Sequence, residues 1–460
     1  MLILFKDVKY INQIFISRWK LISDFFEKVF HLSSRKTNIR TEIIAGFTTF
    51  VTLSYIIFVN PSILSQAGIP KEAAIGATIY STIIATILMG LWANLPIAVA
   101  PGMGLNAFFT YTVVIGMGLS WETALGAVFI SGIFFFILSV TNIRKAIFMG
   151  IPAVLRTSIA VGIGLFIALI GFKNAGIIVE NKDTLVSFGQ LISPGVLIAS
   201  FGLIITAALI SRGTKGAILI GILLTTILSM VFGITKAPTS INDLISFSIP
   251  NISDTFLKMD LIGAIHYGII GIIFTFSIVE LFDNMGTLIG LTTKGKIIDK
   301  DGNIPNLNKA LVSDSAGTMI SALLGTSTVT SYIESAAGIA EGGRTGLTAL
   351  VVAFCFGLAT IFTPLIGIVP ALATSPALIM VGTLMFSEIH MIDFSDLTES
   401  FPAFMTIILM PLSFSIANGI AAGFISYVSI KTLTGKTKDI NLISLIIAIA
   451  FIINFILRLH

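Results

Sequence analysis

The sequence predicts an all-α polytopic membrane protein with about 14 transmembrane segments, arranged as two inverted repeats of seven. Three observations lead there. The chain is 55% hydrophobic and only 11% charged, where soluble domains carry roughly a quarter charged residues. Apolar runs of membrane-spanning length recur from residue 43 to the C-terminus, and segments of the first half reappear in the second at a nearly constant offset.

Before the first apolar run, residues 1–40 form a basic tail with eight Lys/Arg against Asp7, Asp24 and Glu27. That excess places the N-terminus on the cytoplasmic side, and the pattern FISRWKLISDFFEKVF predicts an amphipathic helix on the inner membrane surface. No small-residue cleavage site follows a short apolar core, so no signal peptide is expected. The basic residues are too widely spread for a nucleic-acid site. A lone cysteine, Cys355, excludes a disulfide framework, and the four His (31, 266, 390 and 460) lack metal-ligand spacing. Neither a metal nor a cofactor is expected. Without a Walker loop or a nucleophile–base pair, the chain reads as neither an ATP-driven pump nor an enzyme.

The first span is about 43–63, closed by Asn60-Pro61, and the second about 72–92. The third, about 97–118, is interrupted by Pro101, Gly102 and Gly104, which oppose a continuous helix. Spans follow at about 121–140, 149–172, 192–211 and 215–233, and 234–262 is polar enough to lie outside the bilayer. The second half opens with about 263–291, followed by a charged loop holding Lys294, Lys296, Lys300 and Asp301. Then come about 308–324, the Thr/Ser/Gly-rich 326–341, 345–362 and 367–387. Residues 401–432 are long for one span and short for two, and 441–458 is apolar. Arg144/Lys145, Arg212/Lys215 and Lys294/Lys296/Lys300 all fall in even-numbered loops, consistent with a cytoplasmic face there.

The repeat is visible where Ile151-Pro152-Ala153 and Val161-Gly162 match Val369-Pro370-Ala371 and Val381-Gly382, at offsets of 218 and 220. The interrupted span around Asn106 and the one around Glu334 correspond at an offset near 228. Paired Gly-interrupted segments in two halves point to a transporter's binding site.

The candidate chemistry sits mainly in FTFSIVELFDNMGTLIG, residues 274–290. Glu280 and Asp283, three residues apart, share a helix face, about 60° apart and ~4.5 Å along the axis. Each carboxylate in a span costs on the order of 2.5–3.5 kcal/mol to insert. Glu334 adds a third. With Asn106 they suggest a polar site that accepts ring N–H or exocyclic NH₂ groups of a planar ligand, two side-by-side donors on one carboxylate. A second carboxylate could carry a proton through the cycle. Gly104 would let backbone N–H groups near Asn106 reach a ligand, and Thr326, Ser327 and Thr328 would play the matching part in the second half. The structural alternative is that the acids cap helices or pair with Arg156 or Arg344. Phe108, Phe109, Phe276 and Phe282 could stack on an aromatic ligand or simply pack, among 36 Phe. Asp314 and Arg344 are expected near span ends.

TNIRTEIIAGFTTFVTLSYIIFVNPSIL, APGMGLNAFF, IVELFDNMGTLIG and GTSTVTSYIESAAGIAEGGRTGLTAL resemble the AzgA-like hypoxanthine/guanine/adenine permeases of the nucleobase–cation symporter-2 superfamily, from about residue 37 onward. The resemblance implies seven plus seven inverted repeats, with short strands in spans 3 and 10. Spans 1–4 (41–145) and 8–11 (263–362) would form a core domain. Spans 5–7 (146–235) and 12–14 (363–460) would form a gate domain, with 1–40 as cytoplasmic tail and 236–262 as extracytoplasmic loop. It further implies purine uptake by proton symport, Na⁺ remaining an alternative, in the inner membrane; a homodimer is left open. On this sequence the family's substrate-binding positions fall on Glu280, Glu334, Asn106 and Gly104. Asp283 is expected in proton coupling, and Thr326 and Ser327 beside the substrate. Family members often carry Asp where this chain has Glu280. A uracil/xanthine permease or an anion transporter of the same fold, a channel and an intramembrane enzyme are the alternatives; the acids and the absent basic residue disfavour an anion.

Overall fold

The computed structural model describes residues 23–141, 143–266, 272–297 and 304–458. Residues 1–20, most of the expected amphipathic tail helix, and Lys300 and Asp301 lie outside the described residues. What is described of the tail is a short helix α1, residues 23–30.

The first half runs α2 (Ile39–Leu53), α3 (Ile56–Leu64), α4 (Lys71–Leu88), β1 (Val99–Pro101), α5 (Met103–Ala107) and α6 (Trp121–Val140). It continues with α7 (Ile143–Met149), α8 (Ala153–Asn174), β2 (Ile178–Asn181), β3 (Leu185–Phe188), α9 (Pro194–Ser211) and α10 (Ala217–Val231). The second half comprises α11 (Leu261–His266), α12 (Phe274–Lys294), α13 (Leu307–Leu324), β4 (Val329–Ser331), α14 (Ser335–Ala340), α15 (Gly346–Ala359) and α16 (Thr363–Ile368). It closes with α17 (Ala371–Phe386), α18 (Leu397–Leu412), α19 (Ile416–Leu433) and α20 (Leu442–Arg458). Eight helical stretches among the described residues are long and apolar enough to cross a membrane; shorter apolar helices accompany them. This is a multi-pass membrane protein.

Three elements differ from their sequence reading. The first span is interrupted at Ser54–Tyr55, between α2 and α3, and is not closed by Asn60-Pro61, since Pro61 lies inside α3, which runs to Leu64. Residues 401–432 form two helices, α18 and α19, folded together by a turn in which Phe414 takes φ 50°. The apolar helix α20 therefore follows the fourteenth segment and packs on α19; its Ser444, Ile447, Ala448 and Phe451 are buried, Phe451 against the Phe274 ring of α12. A β2–β3 hairpin in the α8–α9 connection was not anticipated.

The repeat has a physical consequence. Pro152 and Pro370 each sit immediately before a long helix, α8 and α17, where a missing N–H is harmless. These two helices pack on each other, and Gly164 and Gly382 face across the contact. A side chain on Gly382 would come within 2.4 Å of the Gly164 carbonyl, and one on Gly164 within 2.8 Å of the Gly382 carbonyl. The glycine that meets Gly382 is Gly164, two residues beyond the Gly162 of the sequence match.

Helix packing falls into two groups. The α2, α4, α6, α13, α14 and α15 helices contact one another, and so do α8, α9, α10, α17, α18 and α19. Within the first group, the α15 N-terminus receives a buried carboxylate from α2: Glu42 accepts from Arg344 N (2.8 Å), Thr348 N (3.1 Å) and Thr348 Oγ1 (2.6 Å). A negative charge at a helix N-terminus is favourable because it meets unpaired amides.

A second buried charge ties α7 to α13. The Arg144 guanidinium, fully buried, meets Asp314 Oδ2 at 3.1 Å, donates to Ser315 Oγ at 3.1 Å and lies 4.3 Å from the Phe135 ring centre. Arg144 thus reaches into the bundle, where the sequence reading had placed it in a cytoplasmic loop. Asp314, expected near a span end, pairs with it from inside α13. Arg156 covers the Phe148 ring, and Arg344 donates to the Ile339 and Gly343 carbonyls. Removing one partner of a buried pair strands the other charge, at about 3–5 kcal/mol. Arg144→Ala should lower unfolding stability in detergent by that order, and Arg144→Met/Asp314→Leu should restore most of it. A single variant as stable as the parent would contradict this account.

Candidate functional site

The two interrupted spans meet through their backbones. β1 and β4 pair antiparallel, with Ala100 opposite Thr330 at the centre and Val99 and Pro101 opposite Ser331 and Val329. All six residues are buried. Flanking bonds extend the pair: Gly102 N donates to Thr328 O at 2.9 Å and Tyr332 N to Ala98 O at 3.0 Å. Three-residue strands are what Pro101 and the Thr/Ser-rich TSTVTS segment allow, because neither segment favours a helix there. Helices α5 and α14 start just beyond the strands. Thr86 of α4 anchors β1, accepting from Val99 N (3.0 Å) and donating to Val99 O (2.9 Å).

The sequence-derived candidates gather around this crossing. Asn106, on α5, accepts through Oδ1 from Ser327 Oγ, joining the two interrupted spans, and its buried Nδ2 has no protein partner. Glu280, fully buried on α12, accepts from Thr318 Oγ1 at 3.1 Å through Oε1, and its buried Oε2 is unpartnered. Glu334, just before α14, accepts the Tyr55 hydroxyl at 2.5 Å through Oε1, and its Oε2 is likewise unpartnered. Asp283 is only partly buried; its Oδ2 lies 3.2 Å from where a side chain on Gly102 would begin. Native interiors leave few buried polar atoms unpaired. Here Thr328 Oγ1, Thr330 Oγ1 and Ser331 Oγ join the same set.

Two candidates take other places. A side chain on Gly104 would come within 2.7 Å of Ile163 Cγ2, so this glycine lets α5 approach α8; Gly102 is the glycine beside Asp283 and Thr330. Thr326 Oγ1 accepts from Asn60 Nδ2 at 2.9 Å, which holds the residue before β4 against α3. Phe109 is buried, and the other three aromatic candidates pack on protein rings. Phe108 and Phe276 meet edge to face at 4.8 Å, and Phe282 lies 6.3 Å from Phe148.

The sequence reading missed Tyr55, Asn60 and Thr318. Tyr55 lies in an unbroken apolar run and Thr318 in a small-residue helix, so neither differs from a packing residue until its partner is known. Asn60 carried a signal, an amide inside a span, but it reads equally as a helix end beside Pro61.

Comparison with known proteins agrees with this architecture. A family model, Xan_ur_permease, described as Permease family, matches residues 40–422. Adenine permease AdeQ of Escherichia coli K12 is 47% identical over 94% of this chain and 96% of its own. The guanine/hypoxanthine permease PbuO of Bacillus subtilis is 42% identical over 93% of this chain and 99% of its own. The transmembrane domain of the cyanobacterial bicarbonate transporter BicA superposes with a TM-score of 0.61 at 16% identity, covering 84% of this chain and 97% of that one. That likeness identifies the shared transporter fold. With the match spanning both interrupted segments and every candidate acid, the chain belongs to the xanthine/uracil-type permease family.

Proposed function

We propose that the protein imports purine nucleobases (hypoxanthine, guanine or adenine) by proton symport across the inner membrane, with its N-terminus cytoplasmic. The single observation that carries this reading is the set of unpartnered buried atoms at the strand crossing: two carboxylate oxygens, Glu280 Oε2 and Glu334 Oε2, and one amide donor, Asn106 Nδ2. Two acceptors and a donor complement a planar heterocycle whose rim carries N–H groups beside a carbonyl or ring nitrogen. The printed names of two relatives, adenine permease and guanine/hypoxanthine permease, support that ligand class. The fold's likeness to a bicarbonate transporter says nothing of the cargo, and acids at the crossing suit an anion poorly.

In this reading Glu280 grips the base, Glu334 and Asn106 shape the site, Ser327 ties the two interrupted spans together through Asn106, Gly104 lets α5 close on α8, and Thr326 holds the β4 segment to α3. Asp283, the partly exposed acid, carries the coupling proton. The two packing groups of helices would move as core (41–145 and 263–362) against gate (146–235 and 363–460), alternating access to the crossing. One proton suffices for scavenging: 100 mV supplies about 2.3 kcal/mol per charge, roughly fifty-fold accumulation.

Uptake of labelled hypoxanthine in a transport-deficient host, competed by adenine, guanine, xanthine and uracil, tests the substrate class. Saturable uptake displaced by purines is expected. Glu280→Gln should raise KM about ten- to a hundredfold, the value of a lost hydrogen bond to a charged group; uptake indifferent to this change refutes the base-binding role. Coupling is read separately. An uncoupler should abolish accumulation, and Asp283→Asn should leave exchange of base across the membrane while ending accumulation. Accumulation that survives either treatment excludes the proton assignment.

A further inference from the structure

We propose that Tyr55 sets the base selectivity of the site by occupying one oxygen of Glu334, so that this carboxylate presents a single acceptor to a ligand. The inference rests on the purine-transport reading above. Tyr55 is fully buried at the break between α2 and α3, and its hydroxyl donates to Glu334 Oε1 at 2.5 Å. The remaining oxygen, Glu334 Oε2, is buried and unpartnered.

The geometry that delivers Tyr55 is built into the contact between α2 and α14. A side chain on Gly338 would fall 2.1 Å from Thr49 Oγ1 and 2.4 Å from the Ala45 carbonyl, so the two helices touch backbone to backbone. Thr52 Oγ1 adds a contact to the Glu334 carbonyl at 3.4 Å. Tyr55 follows at the junction of α2 and α3, and its hydroxyl reaches the Glu334 side chain.

The corresponding hold on Glu280 is weaker. A hydroxyl has one proton to donate, and Thr318 Oγ1 divides it between Glu280 Oε1 (3.1 Å) and the Val329 carbonyl (3.3 Å). Tyr55 directs its proton to one acceptor, and the other tyrosine of this region, Tyr332, donates to the Pro101 carbonyl. Glu334 is therefore the acid whose second oxygen is firmly taken.

That difference has a chemical consequence. A free carboxylate accepts two parallel donors, as from the N1–H and N2–H₂ edge of guanine. Hypoxanthine offers only N1–H on that edge, and adenine an amino donor beside an acceptor nitrogen. One open oxygen serves each of these about equally, whereas two open oxygens would favour guanine. Tyr55 thereby acts as a specificity-determining residue that keeps the site tolerant of several purines.

The test is competition by guanine, hypoxanthine and adenine against labelled hypoxanthine uptake in Tyr55→Phe and in Tyr55→Phe/Glu334→Gln. In Tyr55→Phe the inhibition-constant ratio of hypoxanthine to guanine should rise on the order of tenfold over wild type, one charge-assisted hydrogen bond. In the double variant the gain should vanish. A structural role alone would move every purine by the same factor, so an unchanged ratio overturns the proposal. If Tyr55→Phe fails to reach the membrane, fluorotyrosine at position 55 replaces it. This stronger donor should lower guanine's relative competition, and an unchanged or raised value overturns the idea. Absence of saturable purine uptake in the wild-type protein would instead refute the transport reading itself.

Discussion

Everything in this structure hangs on how two interrupted spans satisfy their backbones. Inside a helix bundle no water is at hand for a free N–H or C=O, so a broken helix is stable only if its polar groups find partners in protein. Here each break supplies the partner of the other. β1 and β4 pair across the centre of the molecule, Gly102 and Tyr332 extend the pair, and Thr86 anchors one edge. Once that pairing exists, Asn106 and Glu334 beside the breaks are carried to the crossing, and α12 and α13 bring Glu280 and Thr318 against it.

The buried charges fall into two kinds. Glu42 and the Arg144–Asp314 pair are neutralised by amides, hydroxyls or an opposite charge, and each fastens one helix to another. Glu280 and Glu334 are held by one neutral hydroxyl each and keep an oxygen unspent. A carboxylate satisfied on one side only is costly in a static framework and useful in a site that must bind and let go. Asp314 also leaves one oxygen unpartnered, but its other oxygen meets a guanidinium; a neutral hydroxyl in place of an ion pair is what sets Glu280 and Glu334 apart.

The candidate acids also differ in access. Glu280 is enclosed on all sides, while Asp283 and Glu334 are partly exposed. An enclosed acceptor suits a ligand that is itself dehydrated on binding, and a partly exposed one can exchange a proton with water.

Much of this was legible in the sequence. Span positions followed from apolar length, and the interruptions from Pro101, Gly102 and the TSTVTS run, because helix-disfavouring residues are clustered there. The carboxylates declared themselves, since a charge in a span is too costly to be incidental. Tertiary structure decided the partners. Nothing in the sequence sends Arg144 to Asp314 and not to solvent, or separates Gly102, beside Asp283, from Gly104, which makes room for Ile163. Nor could it divide 401–432 into α18 and α19, because the turn is closed by a positive φ at Phe414, a residue type that does not announce one, and the neighbouring Pro411 lies inside α18. Each of Glu280 and Glu334 has one oxygen bonded to a hydroxyl, because Thr318 and Tyr55 reach them from other spans. Residue chemistry and helix periodicity are local and can be read along the chain. Which oxygen is taken, and by whom, depends on contacts up to 279 residues apart, and only the folded chain sets those.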